Sequence, residues 1–317
     1  MTADSQYTVV VNPEATIPIG FQTYLFNEPF HISKQACKET YTFYLLHQQS
    51  KQAHARFTLF VEKNKGISPC RGPFGSIEFS LQLPVQHLDA FVEYIDAFAR
   101  GLGLQQLVVK SYPFCYQPEA SAILSAALLR QKYQLLYTDL NYHIPITQKE
   151  FTKGLHPSEK RRLQKSVNKG FVFTEEADPD LPLIYQLLVD SRTRKGYPVT
   201  MSFNDFGRLF HDFPGIYKVF TVRDKQIIAA VTVVVHINQK IFYYFLPAHH
   251  AAYDAYSPMV LLIQGLYIYC QKNHVELLDL GISTDKSVPN YGLMRFKQNL
   301  GALVSLKLSF VKDLGQE

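Results

Sequence analysis

Apolar positions along the first half of the chain predict strands and helices in alternation. The segment VQHLDAFVEYIDAFARGLG has apolar residues at helical spacing and ends in glycines, which suit a helix C-cap. Shorter runs rich in β-branched and aromatic residues predict strands on both sides of it. The predicted elements are strands over 41–48, 54–63 and 73–81, a helix over 85–103, a strand over 105–111, a helix over 118–132 and a strand over 133–146.

The second half continues in the same manner. Residues 226–237 are apolar almost throughout, which is typical of a central strand covered on both faces. The helix predicted over 258–273 is apolar nearly all round and should be buried. The remaining predictions are helices over 157–169, 179–195 and 202–212, strands over 216–224, 240–248, 275–282 and 302–311, and a helix-like turn within 289–302.

The order of elements repeats at an offset of roughly 170 residues, although the two halves share little sequence identity. The repeat predicts two domains, over 1–150 and 151–317, with the break near 145–157, where Pro145 ends a strand and Pro157 begins a helix. The alternative is an α/β chain that alternates in this way without duplication. The expected fold class is α/β with mixed sheets.

Composition narrows the function classes. Hydrophobic residues make up 47% of the chain and charged residues 19%, which indicates a globular protein. A net charge of +5 suits an anionic ligand but lacks the dense basic stripe of a duplex-binding protein, so DNA is not an expected partner. The cysteines form no C-x-x-C pair, which favours free thiols in a cytoplasmic protein and no metal site. We expect no signal peptide and no membrane span.

Few motifs of known chemistry are present: there is no G-x-S-x-G elbow, no Walker loop and no H-E-x-x-H. His249 and His250 are expected to face solvent in a loop. Ser257 and Pro258 suit the start of the buried helix, whose N-terminus is either an anion site or a capped structural end. Asp279 lies in an apolar run and needs a partner if it is buried, because an unpaired buried carboxylate is costly. It could orient a cation or a tyrosine hydroxyl, or it could cap a neighbouring loop.

Three segments together resemble the FemABX-like aminoacyltransferases and their GNAT relatives. They are LDLGIST followed by NYGLMRFKQNLGA, then ISPCRGPFGSIEF (67–79), and HPSEKRRLQKSVNKG (156–170). The most specific part is GL-x-x-F-K followed by GA. The resemblance covers residues 40–312 and implies two tandem GNAT-like domains, each with a mixed, mostly antiparallel sheet flanked by helices. It also implies an N-acyltransferase that moves an acyl or aminoacyl group onto an amine.

The resemblance assigns candidate residues. Phe296 and Lys297 match the family's F-K pair, whose lysine lies at the acyl-transfer site. Arg161 and Arg162 match its paired basic residues, which hold a phosphate-bearing substrate. Lys165 shares a helix face with Arg161, while Arg162 faces elsewhere.

In this interpretation a splayed C-terminal sheet opens a slot, and the Lys297 ammonium points inward to stabilise a tetrahedral oxyanion. Tyr243, Tyr244 and Tyr291 are candidate proton donors or orienting groups. Because strand neighbours alternate faces, at most one of Tyr243 and Tyr244 should face a given cleft. The alternative for Lys297 is an exposed surface lysine.

The implied acyl donor is acyl-CoA or an aminoacyl-tRNA, and the implied acceptor is a small-molecule or cell-wall-precursor amine, with tRNA as a possible partner. The place of the usual glycine-rich pyrophosphate loop reads PAHHAAYDAYSP and contains no glycine. Two alternatives therefore stand beside the transferase. One is a non-catalytic tandem GNAT-like binding protein, and the other is an acyl-CoA-dependent GNAT enzyme with an atypical loop.

Overall fold

A computed structural model describes residues 6–35, 37 and 39–315; the expectation about the first residues of the chain falls partly on residues 1–5, which lie outside these ranges. The first elements are β1 (Tyr7–Val11), α1 (Pro29–Ser33), β2 (Glu39–His47), β3 (Ala53–Glu62), β4 (Lys65–Ser68), β5 (Glu78–Phe79), α2 (Val85–Gly101), β6 (Gln106–Lys110), α3 (Pro118–Arg130) and β7 (Gln134–Pro145).

The later elements are α4 (Pro157–Asn168), β8 (Val172–Glu176), α5 (Leu181–Arg194), α6 (Phe203–Asp212), β9 (Tyr217–Asp224), β10 (Ile227–Asn238), β11 (Ile241–His249), α7 (Pro258–Lys272), β12 (Leu277–Ile282), β13 (Thr284–Asp285), β14 (Val288–Pro289), α8 (Tyr291–Asn299) and β15 (Leu303–Asp313). Four single 3-10 turns cover Leu25–Asn27, Phe114–Tyr116, Phe151–Lys153 and Ala251–Tyr256.

Most predicted elements are present, and the differences concern short elements. The strand predicted over 73–81 is reduced to the two residues of β5. Sequence reasoning made no prediction for α1, β1, β4, β8, β13 and β14. Strand β4 has only four residues and includes Lys65 and Gly66, so its own β-propensity carries little signal. The run YTVVV of β1 was an available signal.

Two compact units make up the structure. Unit 1 contains the chain up to Leu140, Thr284–Val288 and the residues from Ser305 onward, and unit 2 contains Asn141–Ser283 and Pro289–Val304. Strand β15, which ends the second half of the sequence, thus lies mainly in unit 1. The end of β7, which closes the first half, lies in unit 2. The compact units therefore differ from the predicted limits of 1–150 and 151–317, which stay a prediction about domains.

Unit 1 contains a mixed sheet in the order β1-β2-β3-β4-β6-β15, with β5 beside β3. Among the described strand pairs of this sheet, β4 and β6 are the parallel pair, and the chain between them includes helix α2. Helices α2 and α3 cover an apolar core that includes Phe43, Phe57, Phe91 and Phe310, each at most 2% exposed. The apolar spacing predicted for α2 is therefore the face that packs on this core.

Unit 2 contains the order β12-β11-β10-β9-β8, with residues 141–145 of β7 beside β12. Within the described part of this unit, β11 and β12 are the parallel pair of strands, and helix α7 connects them. Residues Ala229–Val235 of β10 are fully buried, and nine residues of α7 are buried. Both predictions for these apolar runs are confirmed, and the sheets are mixed and mostly antiparallel, as expected.

The cysteines correct one expectation. Cys37 and Cys70 form a disulfide in unit 1, whereas Cys115 and Cys270 are free. The prediction of free thiols is therefore wrong for two of the four residues. Their sequence separation of 33 gives no signal of pairing, because the approach of the two residues depends on the tertiary fold.

Candidate active site

A cavity of about 810 Å³ opens in unit 2 where strands β11 and β12 separate. The parallel pairing of these strands covers Ile241–Tyr243 and Leu277–Asp279. Beyond that point both strands line the cavity, β11 with Tyr243–Phe245 and β12 with Leu280–Ile282. The cavity is thus the opening of a splayed sheet, as the sequence analysis expected.

Strand β11 contains an irregularity at the cavity. Val233 of β10 pairs with Leu246 and Val234 with Tyr244, so Phe245 is an extra residue in β11. Such a bulge interrupts the alternation of side chains along a strand beyond Tyr244. Tyr243 and Tyr244 are both among the residues that line the cavity, but they pair in regular register with Val235 and Val234. The expectation that at most one of their side chains points into the cleft therefore stays a prediction.

Lys297 lies in this cavity on helix α8, which begins with Asn290 accepting a hydrogen bond from the Leu293 N–H at 3.0 Å. The lysine is only 4% exposed. Its Nζ donates to the carbonyl oxygens of Gly281 at 2.8 Å and Ile282 at 2.9 Å. It also lies 5.7 Å from the centre of the Tyr142 ring.

Burial lowers the pKa of Lys297 to about 7, and the Asp279 carboxylate opposes this shift. An ammonium group has three N–H donors, and the two carbonyl groups accept two of them. One donor is therefore left for a group in the cavity. At neutral pH both the charged and the neutral forms of the amine are populated.

A bend at Gly281 allows one amine to reach two consecutive carbonyl groups. In a regular strand such carbonyls point in opposite directions. Here Asp279 pairs with His143 and Gly281 with Tyr142, so Leu280 is an extra residue, and Gly281 has a φ of +73°. That conformation strongly favours glycine.

Asp279 supports this bend from the interior. One oxygen of its carboxylate accepts hydrogen bonds from the Gly281 N–H and from Asn141 Nδ2, both at 2.8 Å. The carboxylate is 1% exposed, so the expected need for a partner is met. Through the Gly281 backbone it fixes the carbonyl groups that hold Lys297.

The remaining catalytic candidates, Phe296, Tyr244 and Tyr291, differ in whether they line the cavity. Phe296 and Tyr244 line the cavity. The Tyr244 hydroxyl is buried without a hydrogen-bond partner among the described residues, and burial raises its pKa. Tyr291 is 74% exposed and outside the cavity lining, because it lies on another face of α8 from Phe296 and Lys297. The structure thus does not support the placement expected for Tyr291.

Among the basic residues of α4, Arg162 is the one that lines the cavity. Its guanidinium donates to the fully buried Glu159 at 2.7 Å. Arg161 and Lys165 are exposed outside the cavity lining, with Lys165 Nζ 5.5 Å from the centre of the Tyr256 ring. The structure is therefore consistent with the prediction that Arg161 and Lys165 share one face of α4 while Arg162 lies on another. The face that carries Arg162 is the one toward the cavity.

The start of α7 offers fewer free donors than expected. Ser257 lines the cavity in a left-handed conformation, and its side chain makes no cap hydrogen bond. Its N–H donates to the Asp254 carbonyl, the Val260 N–H donates to the Ser257 carbonyl, and Pro258 has no N–H. The prediction of a side-chain cap at Ser257 is wrong, because the local turn satisfies the backbone.

Several cavity residues carried no motif in the sequence. Arg192, Lys195 and Tyr197 line it from the end of α5 and the turn that follows. His249, expected in a solvent-facing pair, lines it as well, and its Nε2 lies 2.9 Å from both Arg194 Nη2 and Asp254 Oδ1. His250 is exposed, as predicted. The basic run SRTRK at the end of α5 was the available signal.

The described residues contain no group of three or more His, Cys, Asp or Glu side chains arranged to hold a metal ion. Across residues 6–35, 37 and 39–315, no helix is both long and apolar enough to cross a membrane.

Part of the chain is similar to a known family. Residues 158–298 match the family model of an acetyltransferase (GNAT) domain. The segment that forms the cavity is therefore similar in sequence to a GNAT domain, and its fold is GNAT-like. A comparison with curated protein sequences finds no match.

Solved structures show the same fold over nearly the whole chain. The crystal structure of FemX has a TM-score of 0.70 at 12% identity, covering 91% of this chain and 92% of FemX. The C-terminal domain of a putative lysylphosphatidylglycerol synthetase from Agrobacterium fabrum has a TM-score of 0.58 at 12% identity, covering 84% and 82%. A tandem GNAT protein from the clavulanic acid biosynthesis pathway has a TM-score of 0.53 at 10% identity, covering 89% and 86%. The resemblance to FemABX-like and tandem GNAT proteins is confirmed.

Proposed function

We propose that this protein is an N-acyltransferase of FemABX-like type, which moves an acyl or aminoacyl group onto an amine in the cavity of unit 2. The observation that carries the proposal is Lys297, which is buried at the cavity wall and held by two carbonyl oxygens. A lysine kept there without a carboxylate among its hydrogen-bond partners retains a donor for a reacting group.

The reaction balances without a further reagent. The nitrogen of the acceptor amine attacks the acyl carbon, a C–N bond forms, and the carbonyl oxygen becomes an oxyanion. The free N–H of the Lys297 ammonium donates to that oxyanion, and the partly buried Phe296 beside it limits access of water. The bond from carbon to the leaving oxygen or sulfur then breaks, and the proton lost by the amine passes to the leaving group. In this proposal Tyr244, which lines the same cavity, orients the acyl group.

The substrates belong to the proposal. The resemblance favours acyl-CoA or aminoacyl-tRNA as donor and a small-molecule or cell-wall-precursor amine as acceptor. A cytoplasmic location stays a prediction from the cysteine pattern. That prediction assumed four free thiols, and the Cys37–Cys70 disulfide contradicts the assumption for two of them. Structural disulfides persist mainly in oxidising compartments.

Replacing Lys297 by Met tests the proposal. Transfer from acetyl-CoA, longer acyl-CoAs and aminoacyl-tRNA to a panel of amines, including a UDP-linked muropeptide, is measured for the wild type and the variant. We expect the Lys297→Met turnover to fall by about 10²–10³-fold, the usual effect of losing one oxyanion donor.

Lys240→Met is the matched control. Lys240 is 60% exposed, its partner is Glu276 at 2.9 Å, and it lies outside the cavity lining, so turnover should not change. Full activity of Lys297→Met would contradict the assigned role. A wild type that transfers from no donor would favour the non-catalytic alternative.

A further inference from the structure

Two cations at the end of α5 are unused in the mechanism above. Arg192 and Lys195 line the same cavity as Lys297. Arg192 Nη1 donates to the Pro198 carbonyl at 3.2 Å. Among the described residues, neither Arg192 nor Lys195 forms an ion pair with a carboxylate. Both charges are therefore available to an anion in the cavity.

The cavity has an excess of positive charge. Asp254 is the only carboxylate among its described lining residues, while Arg162, Arg192, Lys195 and Lys297 line it as well. Arg194 binds Asp254 at 2.8 Å, and His249 lies 2.9 Å from the same carboxylate. Burial and then the neighbouring Arg194 charge lower the pKa of Lys195, the Asp254 carboxylate opposes this shift, and Arg192 adds to it. An anionic ligand would reduce the repulsion between these neighbouring positive charges.

The backbone near the cavity is a poor alternative for binding phosphate. Phosphate cradles use several free N–H groups at a helix N-terminus or a glycine-rich loop. Residues 247–258 contain no glycine, Pro258 lacks an N–H, and the N–H groups of Ser257 and Val260 are already bonded. These features favour side chains as the phosphate ligands in this cavity.

We propose that Arg192 and Lys195, together with Arg162, form a phosphate-binding subsite for the acyl donor. This inference rests on the proposed transferase function and assigns the residues that hold the phosphate groups of its donor. The donor is an acyl group on a phosphate-bearing carrier, either coenzyme A or the 3′ end of a tRNA. A guanidinium and an ammonium bind phosphate oxygens by charge-assisted hydrogen bonds, which do not require the missing glycine loop.

The test measures binding, separately from turnover. The full chain is titrated with coenzyme A, with a deacylated RNA minihelix ending in CCA, and with pantetheine, which has no phosphate group. Each titration is repeated with Arg192→Gln/Lys195→Gln. We expect this variant to lose about 10- to 100-fold in affinity for the phosphate-bearing ligand that the wild type binds, because hydrogen bonds to charged groups are strong. Any pantetheine affinity should be unchanged.

The two phosphate-bearing ligands distinguish the sources. Tight binding of coenzyme A indicates an acyl-CoA donor, and tight binding of the minihelix indicates aminoacyl-tRNA. For the minihelix, removing two contacts should also reduce the slope of log affinity against log salt by roughly 1.4, at about 0.7 per contact. The matched control is Arg208→Gln/Lys240→Gln, which removes two charges outside the cavity lining and should bind like the wild type.

The outcomes of this test distinguish failure of the phosphate subsite from failure of the proposed transferase function. Equal affinities for the Arg192→Gln/Lys195→Gln variant and the wild type, or no binding of either phosphate-bearing ligand by the wild type, overturn the subsite. If binding depends on these residues but no acyl group is transferred, the subsite stands and the transferase function fails. If transfer proceeds and the variant loses nothing, the function stands and the subsite fails.

Discussion

Two buried lysines, one in each unit, have similar surroundings except in one respect. Lys312 of unit 1 is 9% exposed and lies 5.3 Å from the centre of the Tyr133 ring. Lys297 of unit 2 is 4% exposed and lies 5.7 Å from the centre of the Tyr142 ring. Lys312 donates to the buried Asp96 carboxylate, which also accepts from the Tyr133 hydroxyl at 2.6 Å. Lys297 donates to two carbonyl groups.

This difference separates a structural lysine from one that can do chemistry. A buried lysine bound to a buried carboxylate has its charge neutralised. Held by carbonyl oxygens beside a cavity, it experiences the cost of burial without full compensation, and its pKa falls toward neutrality. Burial also raises the pKa of Asp96, and the hydrogen bonds from Lys312 and Tyr133 oppose this rise. Lys312 and Asp96 therefore act as one coupled pair.

The largest expected effect on folding comes from breaking the unit 1 pair. Lys312→Met leaves Asp96 buried without its cation and should lower the free energy of unfolding by about 3–5 kcal/mol. Lys297→Met leaves two neutral carbonyl groups without their donor, and the nearby Asp279 keeps its own hydrogen bonds to Gly281 and Asn141, so the loss should be about 1–3 kcal/mol. Urea unfolding of both variants measures the difference, and equal losses would remove the distinction between the two lysines.

The bend that holds Lys297 is the next target. Gly281→Ala places a Cβ at a φ of +73° and 3.3 Å from the Tyr243 ring, so we expect a loss of about 1–2 kcal/mol in unfolding free energy. Because the carbonyl groups of residues 281 and 282 would shift, turnover should fall by about tenfold or more. Steady-state kinetics and urea unfolding measure the two effects.

Gly207→Ala is the control for this substitution. Gly207 lies in α6, and an added Cβ would meet nothing within 4 Å. Turnover should be unchanged and stability equal or higher. A fully active Gly281→Ala variant would show that the bend does not position Lys297.

The pH dependence of stability is a smaller effect with a defined sign. The pKa of Lys297 is about 7 when folded and 10.5 in the reference state, so the unfolded chain binds more protons between these values. Unfolding free energy should therefore rise with pH across this window, by at most about 1.4 kcal/mol per pH unit. The difference between the wild type and Lys297→Met isolates this contribution, and parallel pH profiles would argue against the lowered pKa.

The smallest expected effect separates the two adjacent arginines of α4. Arg161→Gln changes an exposed side chain outside the cavity lining and should alter stability by no more than about 0.5 kcal/mol. Arg162→Gln removes a cavity cation bound to Glu159 and should weaken donor binding more than Arg161→Gln does. Donor affinities of the two variants decide the point, and a greater loss for Arg161→Gln would reverse the assignment.

The sequence by itself determined the elements and the chemical candidates. The apolar runs of β10 and α7 correctly predicted that these two elements are buried. A segment that is covered on all sides must be apolar throughout. The F-K pair identified Lys297 because its pattern is local and specific. Asp279 was expected to need a partner because an isolated carboxylate in an apolar run is costly to bury.

The tertiary structure decided which candidates share the cavity. Tyr244 lies at the cavity, whereas Tyr291, on another face of α8 from Lys297, does not. The orientation of α4 places Arg162 at the cavity and Arg161 outside it. Arg192, Lys195 and His249 join the site from segments far apart in the sequence. The physical reason is that secondary structure follows local spacing, whereas convergence of side chains depends on strand register, helix rotation and long-range packing, which no short sequence window contains.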